Sequence, residues 1–372
     1  MPSFHQNDLF RALVATGEVE LRVIFARGLT PDRSNLGWAT DVEGFASSYL
    51  SRLNPVGDAM RRAMAQRDRI HLVNGIWQEV GFMAALAILT VTRARYAIYS
   101  EAQNPFRPRS RTKMRVQSVL GRIVGRRASG WFPVARLGAA SFAMLGAVRD
   151  AIYPFGYFRA APLPLSDGAG DEMQELQILF VGQVIGRKGV DLLLDALFPL
   201  FGRYGHFQLR VVGDGEMTGE LRARALDAGV GDRVIFSGVV SSADILSVIA
   251  HSDLLVLPSR WDGWGMVVNE ALSVGVPAVV SSSCGAADLI ENGVNGFVFK
   301  SENVENLRAC LDTLLRDPDT LAACKRGAAD TGRMLSVDVA APYLVNCLKH
   351  MIGDLPERPV PPWSRLTDDL EA

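Results

Sequence analysis

The chain has 372 residues, a formal net charge of −1 and 48% hydrophobic residues, an ordinary globular composition with length enough for two domains. No apolar run reaches the length needed to span a bilayer; the longest, Val80 to Thr92, reads as a buried helix. The opening MPSFHQNDLF lacks the regions of a signal peptide, and Cys284, Cys310, Cys324 and Cys347 show neither CxxC nor metal-ligand spacing, which fits a reducing cytoplasm.

In chain order, Pro2 to Gln6 reads as a loop and Asp8 to Ala15 as the helix after it. A Rossmann-like domain opens on a strand, so the expectation is a truncated or misassigned start. Strands are expected at Glu20–Phe25, Arg69–Asn74 and Tyr96–Tyr99, with a helix from Gly81 to Leu89. From Ala102 to Arg149 there is no Asp or Glu, while Arg107, Arg109, Arg111, Lys113, Arg115, Arg122, Arg126, Arg127, Arg136 and Arg149 all fall there. That asymmetry suggests a basic face for an anionic partner; a merely solvated arginine-rich helix is the alternative. Ala160 to Asp171 carries Pro162, Pro164, Gly168 and Gly170 and is the best linker candidate.

The second half is more regular. Strands Leu176–Val181, Gln208–Val212, Val234–Phe236, Asp253–Leu257, Ala278–Val280 and Gly296–Phe299 alternate with helices Val190–Phe201, Glu220–Ala228, Ala243–Ala250 and one beginning near Met266. Helices Val304–Leu315 and Val339–Ile352 follow. Such alternation gives a doubly wound parallel sheet, with ligands beyond the carboxyl ends of the strands. The turns at Gly182, Gly213, Gly238 and Gly263 would share that edge.

Two cofactor motifs fail. Val212–Thr218 begins like a dinucleotide fingerprint but has Thr218 where the third glycine belongs. Gly182–Gly189 resembles a P-loop but is one residue short, with Gly189 where Ser or Thr must hold Mg²⁺. What remains is a glycine turn with Arg187 and Lys188 directly after a strand, suited to a diphosphate without a metal.

The stretch Ser259-Arg260-Trp261-Asp262-Gly263-Trp264-Gly265 leads into Met266, Val267 and Glu270 at a helix start. Pro258 ends the strand before it; Gly275 and Pro277 stop the helix. The first helical N–H groups favour an anion. Asp262 in the loop and Glu270, roughly 7 Å further along the helix, could meet one elongated ligand at three points. The alternative is that Asp262 caps the helix and Glu270 is solvated.

With Phe180-Val181-Gly182, Lys188-Gly189-Val190-Asp191, Val211-Val212-Gly213-Asp214-Gly215 and Phe236-Ser237-Gly238 before that stretch, the chain resembles the retaining glycosyltransferases of family 4 over about Leu176 to Phe299. The resemblance implies an α/β fold of GT-B architecture, two Rossmann-like doubly wound parallel-sheet domains facing a cleft. The expected division is an acceptor domain over 1–165, a sugar-nucleotide domain over 166–336, and a helix and tail over 337–372 returning to the first domain.

The family's E-x7-E pair falls on Asp262 and Glu270. The resemblance implies that Glu270 accepts from the donor ribose and that Asp262 and its neighbours contact the donor sugar. Asp262 is one methylene shorter than the family's Glu, and Gln183 stands where the family has an Arg, with Arg187 as its substitute. The implied donor-binding set is Gly182, Gln183, Arg187, Lys188, Val239, Asp262, Gly263, Trp264, Gly265, Met266, Val267 and Glu270. Asp262, Lys188 and His71 are the catalytic candidates; His5 is a weaker one, and Ser100 with Glu101 has an open role. No metal and no cofactor are expected, the donor being a nucleotide-diphosphate sugar.

The implied activity is hexosyl transfer to a lipid-linked saccharide, such as a polyprenyl-diphosphate-linked glycan, in surface polysaccharide or exopolysaccharide synthesis. The implied location is the cytoplasmic face of the membrane. Phe106 to Arg127 reads as a basic helix with an apolar stripe of Val116, Val119, Leu120, Ile123 and Val124, suited to an anionic membrane surface. Nucleic acid is not an expected partner. A sugar-nucleotide epimerase of the same fold and a non-catalytic nucleotide-sugar-binding protein are the competing readings.

Overall fold

The computed structural model describes residues 4–28, 42–76, 79–101, 111–143, 145, 147–160 and 175–363. Two compact units divide the chain, Met1–Ala160 with Val337–Ala372 and Ala161–Ser336. The expected linker falls mostly on 161–174, outside the described residues, as does the expectation about a strand ahead of residue 4.

The first unit runs α1 (Phe4–Ala15), β1 (Arg22–Phe25), β2 (Ala46–Tyr49), α2 (Pro55–Ala65), β3 (His71–Asn74), α3 (Val80–Val91), β4 (Tyr96–Glu101), α4 (Arg111–Gly125), β5 (Gly130–Val134) and α5 (Ala135–Ala143). Phe4 to Gln6, read from the sequence as loop, are the first turn of α1. Proline at the first helical position of α2 and the Asn54 side chain accepting from Gly57 N define where that helix starts. The strands form two parallel sheets, β1-β2 and β3-β4-β5.

Strands β4 and β5 are buried, and Tyr96, Ile98 and Trp131 pack with Leu86, Leu89 and Phe142 into one core cluster. The Tyr96 hydroxyl donates to the Val124 carbonyl at 2.6 Å, so its polar end is satisfied inside that core. The chain's last helix belongs to the same unit. Its Tyr343 hydroxyl donates to Pro154 O at 3.1 Å, and Tyr153 Oη lies 2.7 Å from His350 Nδ1.

The second unit contains β6 (Leu176–Val181), α6 (Val190–Arg203), β7 (Phe207–Val212), α7 (Thr218–Asp227), β8 (Val234–Gly238), α8 (Ile245–Ala250), β9 (Leu254–Leu257), α9 (Met266–Ser273), β10 (Ala278–Ser281), β11 (Gly296–Phe299), α10 (Val304–Arg316) and α11 (Pro318–Met334). The last helix of the chain is then α12 (Val337–Ile352). The six strands are parallel in the order β11-β10-β9-β6-β7-β8. Numbered by appearance within the unit, this is the 3-2-1-4-5-6 order of a doubly wound fold, with the first strand at the centre.

Parallel strands buried on both faces read as continuous apolar runs, which is why β9 and β10, buried at every position, were legible. Helix α11 was not foreseen from sequence. Its signal is Asp317-Pro318: the Asp317 carboxylate accepts from Asp319 N and Thr320 N, and proline takes the first position.

One side chain ties the rim of this sheet. Arg233 donates to the carbonyls of Phe201, Tyr204 and Phe207 at 2.7–3.1 Å, and its guanidinium lies 4.7 and 4.9 Å from the ring centroids of Phe201 and Phe207. Arg233→Met keeps most of the stem and strands three carbonyls. It should lower unfolding stability by about 2–4 kcal/mol, read by denaturant titration; an unchanged midpoint would show that water replaces the fork without loss.

Candidate donor-binding site

At the carboxyl edge of the second sheet the ends of β6, β7 and β8 and the turns after them are joined by backbone bonds. Gly182 N donates to Val212 O, Gly213 N to Gly238 O, and Val184 N to Asp214 O. The first glycine turn follows β6; Asp262 follows β9, which is β6's neighbour in the sheet. Two loops far apart in sequence thus leave adjacent strands side by side.

Their meeting is fixed by a backbone approach and a fork. Gly189, at φ 71°, lies so close to the end of β9 that an added Cβ would sit 2.2 Å from Pro258 O. Only glycine fits there. Arg260 N donates to Arg187 O at 2.9 Å. The Arg260 guanidinium grips both oxygens of Asp191 at 2.9 and 2.6 Å and donates to Gly186 O at 2.6 Å. The same fork reaches Glu302 at 3.3 Å. Burial alone would raise the Asp191 carboxyl; the bidentate arginine overrides it and holds the carboxyl below its ordinary value. Asp191 in turn raises Arg260. Sequence reading gave Arg260 and Asp191 no role, although both lie in the quoted stretches, because spacing does not reveal a contact between two loops.

Held in this way, Lys188 Nζ meets Asp262 Oδ2 at 2.5 Å, each side chain only 16% exposed. The Arg187 guanidinium donates to Trp261 O at 2.9 Å. The Asp262 segment is laid along the turn after β10: Asp262 N donates to Ser283 O, Gly285 N to Asp262 O and Ala286 N to Trp264 O. Cys284, buried beneath it, has its thiol pushed up to about 12, first by burial and then by the Asp262 charge. This cysteine is therefore an inert thiol.

Helix α9 starts at Gly265, whose φ is 101° and whose Cβ, if present, would come within 2.5 Å of Leu257. No side chain caps this start. Asp262 is thus an ion-pair partner and not a cap. Glu270 is 6% exposed and Asn269 4%, so Glu270 is a buried carboxylate and not a member of a solvated face. Trp264 is buried with its indole N–H donating to Asn269 Oδ1 at 2.6 Å. Met266 and Val267 form the half-buried first turn of α9.

Gly182, Arg187, Lys188, Asp262, Gly263, Trp264, Gly265 and the start of α9 are therefore grouped by two neighbouring loops. Gln183 is on the first loop and exposed. Val239 follows β8, two strands from β6, and is 60% exposed. His71 lies in the first unit on β3. Its Nε2 is 2.9 Å from the Gln66 carbonyl, and burial lowers its pKa, so the ring is held neutral with that nitrogen donating. Glu101, at the end of β4, accepts from Tyr157 Oη at 2.6 Å. His5 is in α1, and nothing of its side chain is described. Among the described residues no group of three or more His, Cys, Asp or Glu could hold a metal ion.

The depressed Asp191 carboxyl makes a pH prediction. A carboxyl lowered by folding stabilises the native state above its unfolded value, near 3.8, and that contribution is lost as the pH falls below it. Wild type should lose Tm more steeply than Asp191→Asn between pH 4.5 and 3. Parallel acid titrations of the two would remove the fork from this account.

Residues 167–331 match the family model described as glycosyl transferases group 1. An uncharacterised glycosyltransferase of Methanocaldococcus jannaschii is 31% identical over 148 residues, 40% of this chain and 38% of that protein. The alpha-D-kanosaminyltransferase of Streptomyces kanamyceticus is 31% identical over 152 residues, 41% and 39% of the two chains. The chain thus spans about two fifths of the length of these relatives. Among solved structures, Anabaena HepE in complex with UDP has a TM-score of 0.74 at 18% identity, covering 94% of this chain and 97% of that one. The lipopolysaccharide outer core galactosyltransferase WaaB has a TM-score of 0.63 at 16% identity, covering 90% and 98%. The chain has the GT-B fold of these solved structures, and its residues 167–331 are similar to glycosyl transferases group 1.

Proposed function

We propose that the chain is a retaining glycosyltransferase that moves a hexosyl group from a nucleotide-diphosphate sugar to a saccharide acceptor. The observation that carries this reading is the Lys188–Asp262 pair set beside the start of α9, with Glu270 buried on that same helix. Support comes from relatives. HepE was crystallised with UDP and with UDP-glucose, and a mycobacterial relative is named a GDP-mannose-dependent mannosyltransferase.

In the proposed reaction the bond between the anomeric carbon and the diphosphate oxygen breaks. Positive charge grows on the sugar and negative charge on the leaving diphosphate. Lys188, Arg187 and the first N–H groups of α9 stabilise the leaving group. Glu270 accepts from the ribose hydroxyls, and Asp262 contacts the donor sugar. The acceptor hydroxyl oxygen bonds to the anomeric carbon on the face the diphosphate leaves, its proton passes to the departing diphosphate, and the anomeric configuration is retained. The leaving group is stabilised by cations of the chain, so the proposal needs no metal and no cofactor. His71 is given no step.

An epimerase of the same fold would leave the basic stretch of the first unit without a partner. We therefore take the acceptor to be lipid-linked, a polyprenyl-diphosphate glycan of a surface polysaccharide, met at the inner face of the membrane. No described helix is long and apolar enough to cross a membrane. Helix α4 supports a peripheral contact. Val119, Leu120 and Ile123 are 60%, 45% and 53% exposed, and Arg115, Arg122, Arg126 and Arg127 are exposed around them. Val124 turns inward to the core, so the apolar stripe is narrower than the sequence reading had it. Arg107 and Arg109 lie outside the described residues. Each basic residue at an anionic surface contributes about 1 kcal/mol, so several give reversible binding.

Glu270→Gln should weaken nucleotide binding and nearly abolish transfer with the fold intact, measured by calorimetry with UDP and GDP and by product analysis over a panel of sugar nucleotides. Wild-type affinity in the variant would move the ribose contact elsewhere. Lys188→Ala should cost turnover at least as much as Arg187→Ala, by about 3 kcal/mol of barrier; unchanged turnover would sink the diphosphate assignment. Sedimentation with anionic but not neutral vesicles, weakened by salt and by Arg115→Ser with Arg122→Ser, tests the membrane contact. Full recovery in the supernatant with both vesicle types would point to a soluble acceptor.

A further inference from the structure

The cations around the turn after β6 are already engaged within the chain. Arg260 is taken up by Asp191, Glu302 and Gly186 O. Arg187 donates to Trp261 O at 2.9 Å, and a guanidinium carries more N–H donors than that bond uses. Lys188 is placed differently. Its Nζ lies 2.5 Å from Asp262 Oδ2, and each of the two side chains is only 16% exposed. The ammonium proposed to hold the leaving diphosphate therefore rests on a carboxylate.

Neither partner has room to withdraw. Asp262 is pinned through its backbone: its N–H donates to Ser283 O, and its carbonyl accepts from Gly285 N. On the other side, Arg260 N donates to Arg187 O, and Gly189 packs so closely on Pro258 O that no Cβ fits between them. The two loops are thus locked together, and only the side chains can change partners. A carboxylate this shielded is costly to leave without a partner.

A nucleoside diphosphate that arrives without a sugar meets that cost. Where its phosphate takes the ammonium, Asp262 is left shielded and unpaired. Where the ammonium holds both, two anions stand against one cation and repel each other. In both arrangements Asp262 opposes the ligand. An intact sugar nucleotide carries hydroxyl donors next to its diphosphate. A hydroxyl that donates to Asp262 replaces the lost ammonium bond. The carboxylate therefore penalises the bare diphosphate and spares the one that still bears a sugar.

We propose that Asp262, paired with Lys188 at rest, is the residue by which this site favours the intact sugar nucleotide over the nucleoside diphosphate left after transfer. The inference rests on the donor reading given above and goes beyond it. A carboxylate that only touched the sugar would not weaken the hold on the product. One that competes for Lys188 does, and so speeds the departure of the product.

The test is calorimetry with two matched pairs, UDP with UDP-glucose and GDP with GDP-mannose, taking the pair that wild type binds more tightly. In wild type the sugar nucleotide should bind more tightly than its diphosphate. Asp262→Asn should tighten the diphosphate by about tenfold or more, the scale expected when one charge is removed from beside another. It should not tighten the sugar nucleotide to the same extent, so the preference falls or reverses. Asp262→Glu returns the charge and should restore the wild-type order. An Asn variant that binds the diphosphate no more tightly, or that shifts both ligands equally, overturns the proposal and leaves the donor site standing. A wild type that binds the diphosphate at least as tightly as the sugar nucleotide overturns it as well, whether or not the variant folds. If wild type binds none of the four ligands, the donor reading itself falls, and this inference with it.

Discussion

Everything at the candidate site depends on the hold that Arg260 takes on the turn after β6. Two loops leaving neighbouring strands have no intrinsic reason to stay in register with each other. The guanidinium supplies one: a fork on Asp191, a bond to Gly186 O, and a backbone bond from the same residue to Arg187 O. A planar donor with fixed geometry does this better than a flexible ammonium. Glycine at position 189 is the complementary constraint, since it lets the turn touch Pro258. Only after these two contacts are made can Lys188 reach Asp262.

That pair has its own logic. Both side chains are largely shielded, so either charge alone would be a burden on the fold. Paired, they keep a lysine ammonium in place beside a helix start before any ligand arrives. In the proposed reaction an incoming diphosphate would compete with the Asp262 carboxylate for the same ammonium. The shorter reach of Asp262, compared with the glutamate of the related motif, is met here by the close approach of Lys188. The substitution therefore shifts partners within the site and does not empty it.

The second unit was largely legible in the sequence, down to the ends of β6 and β11, because its strands carry apolar runs, fully buried in β9 and β10, punctuated by glycine or proline. The glycine turns, Lys188, Asp262 and Glu270 could be placed on loops and a helix start from spacing alone. What spacing could not give was the cross-loop contact. Arg260 and Asp191 are 69 positions apart, and only the sheet order makes them neighbours. The burial of Glu270 was equally hidden, because a carboxylate near the start of a helix looks the same in sequence whether it faces solvent or the core. In the first unit β2, α2, β5 and α5 were missed. Residues 46–49 are Ala-Ser-Ser-Tyr, half exposed and without an apolar run, and β5 passes through Pro133.

Part of the difference between the units lies in how far each strand is covered. A parallel strand is recognisable when neighbours cover both its edges and both its faces, for then every residue must be apolar. Strand β9, between β10 and β6 and buried at all four positions, meets that condition and reads plainly. Strands β1 and β3 carry mostly half-buried and exposed residues: Leu72 is 42% exposed, and the four residues of β3 alternate. Their composition reports a half-covered position. Alternation is the pattern expected of a strand with one face wet, yet β3 continues without a break into a sheet whose next two strands are fully buried. Coverage is not the whole of the signal, however: β1 and β3 were read from sequence, while β5, buried at all five positions, was hidden by Pro133.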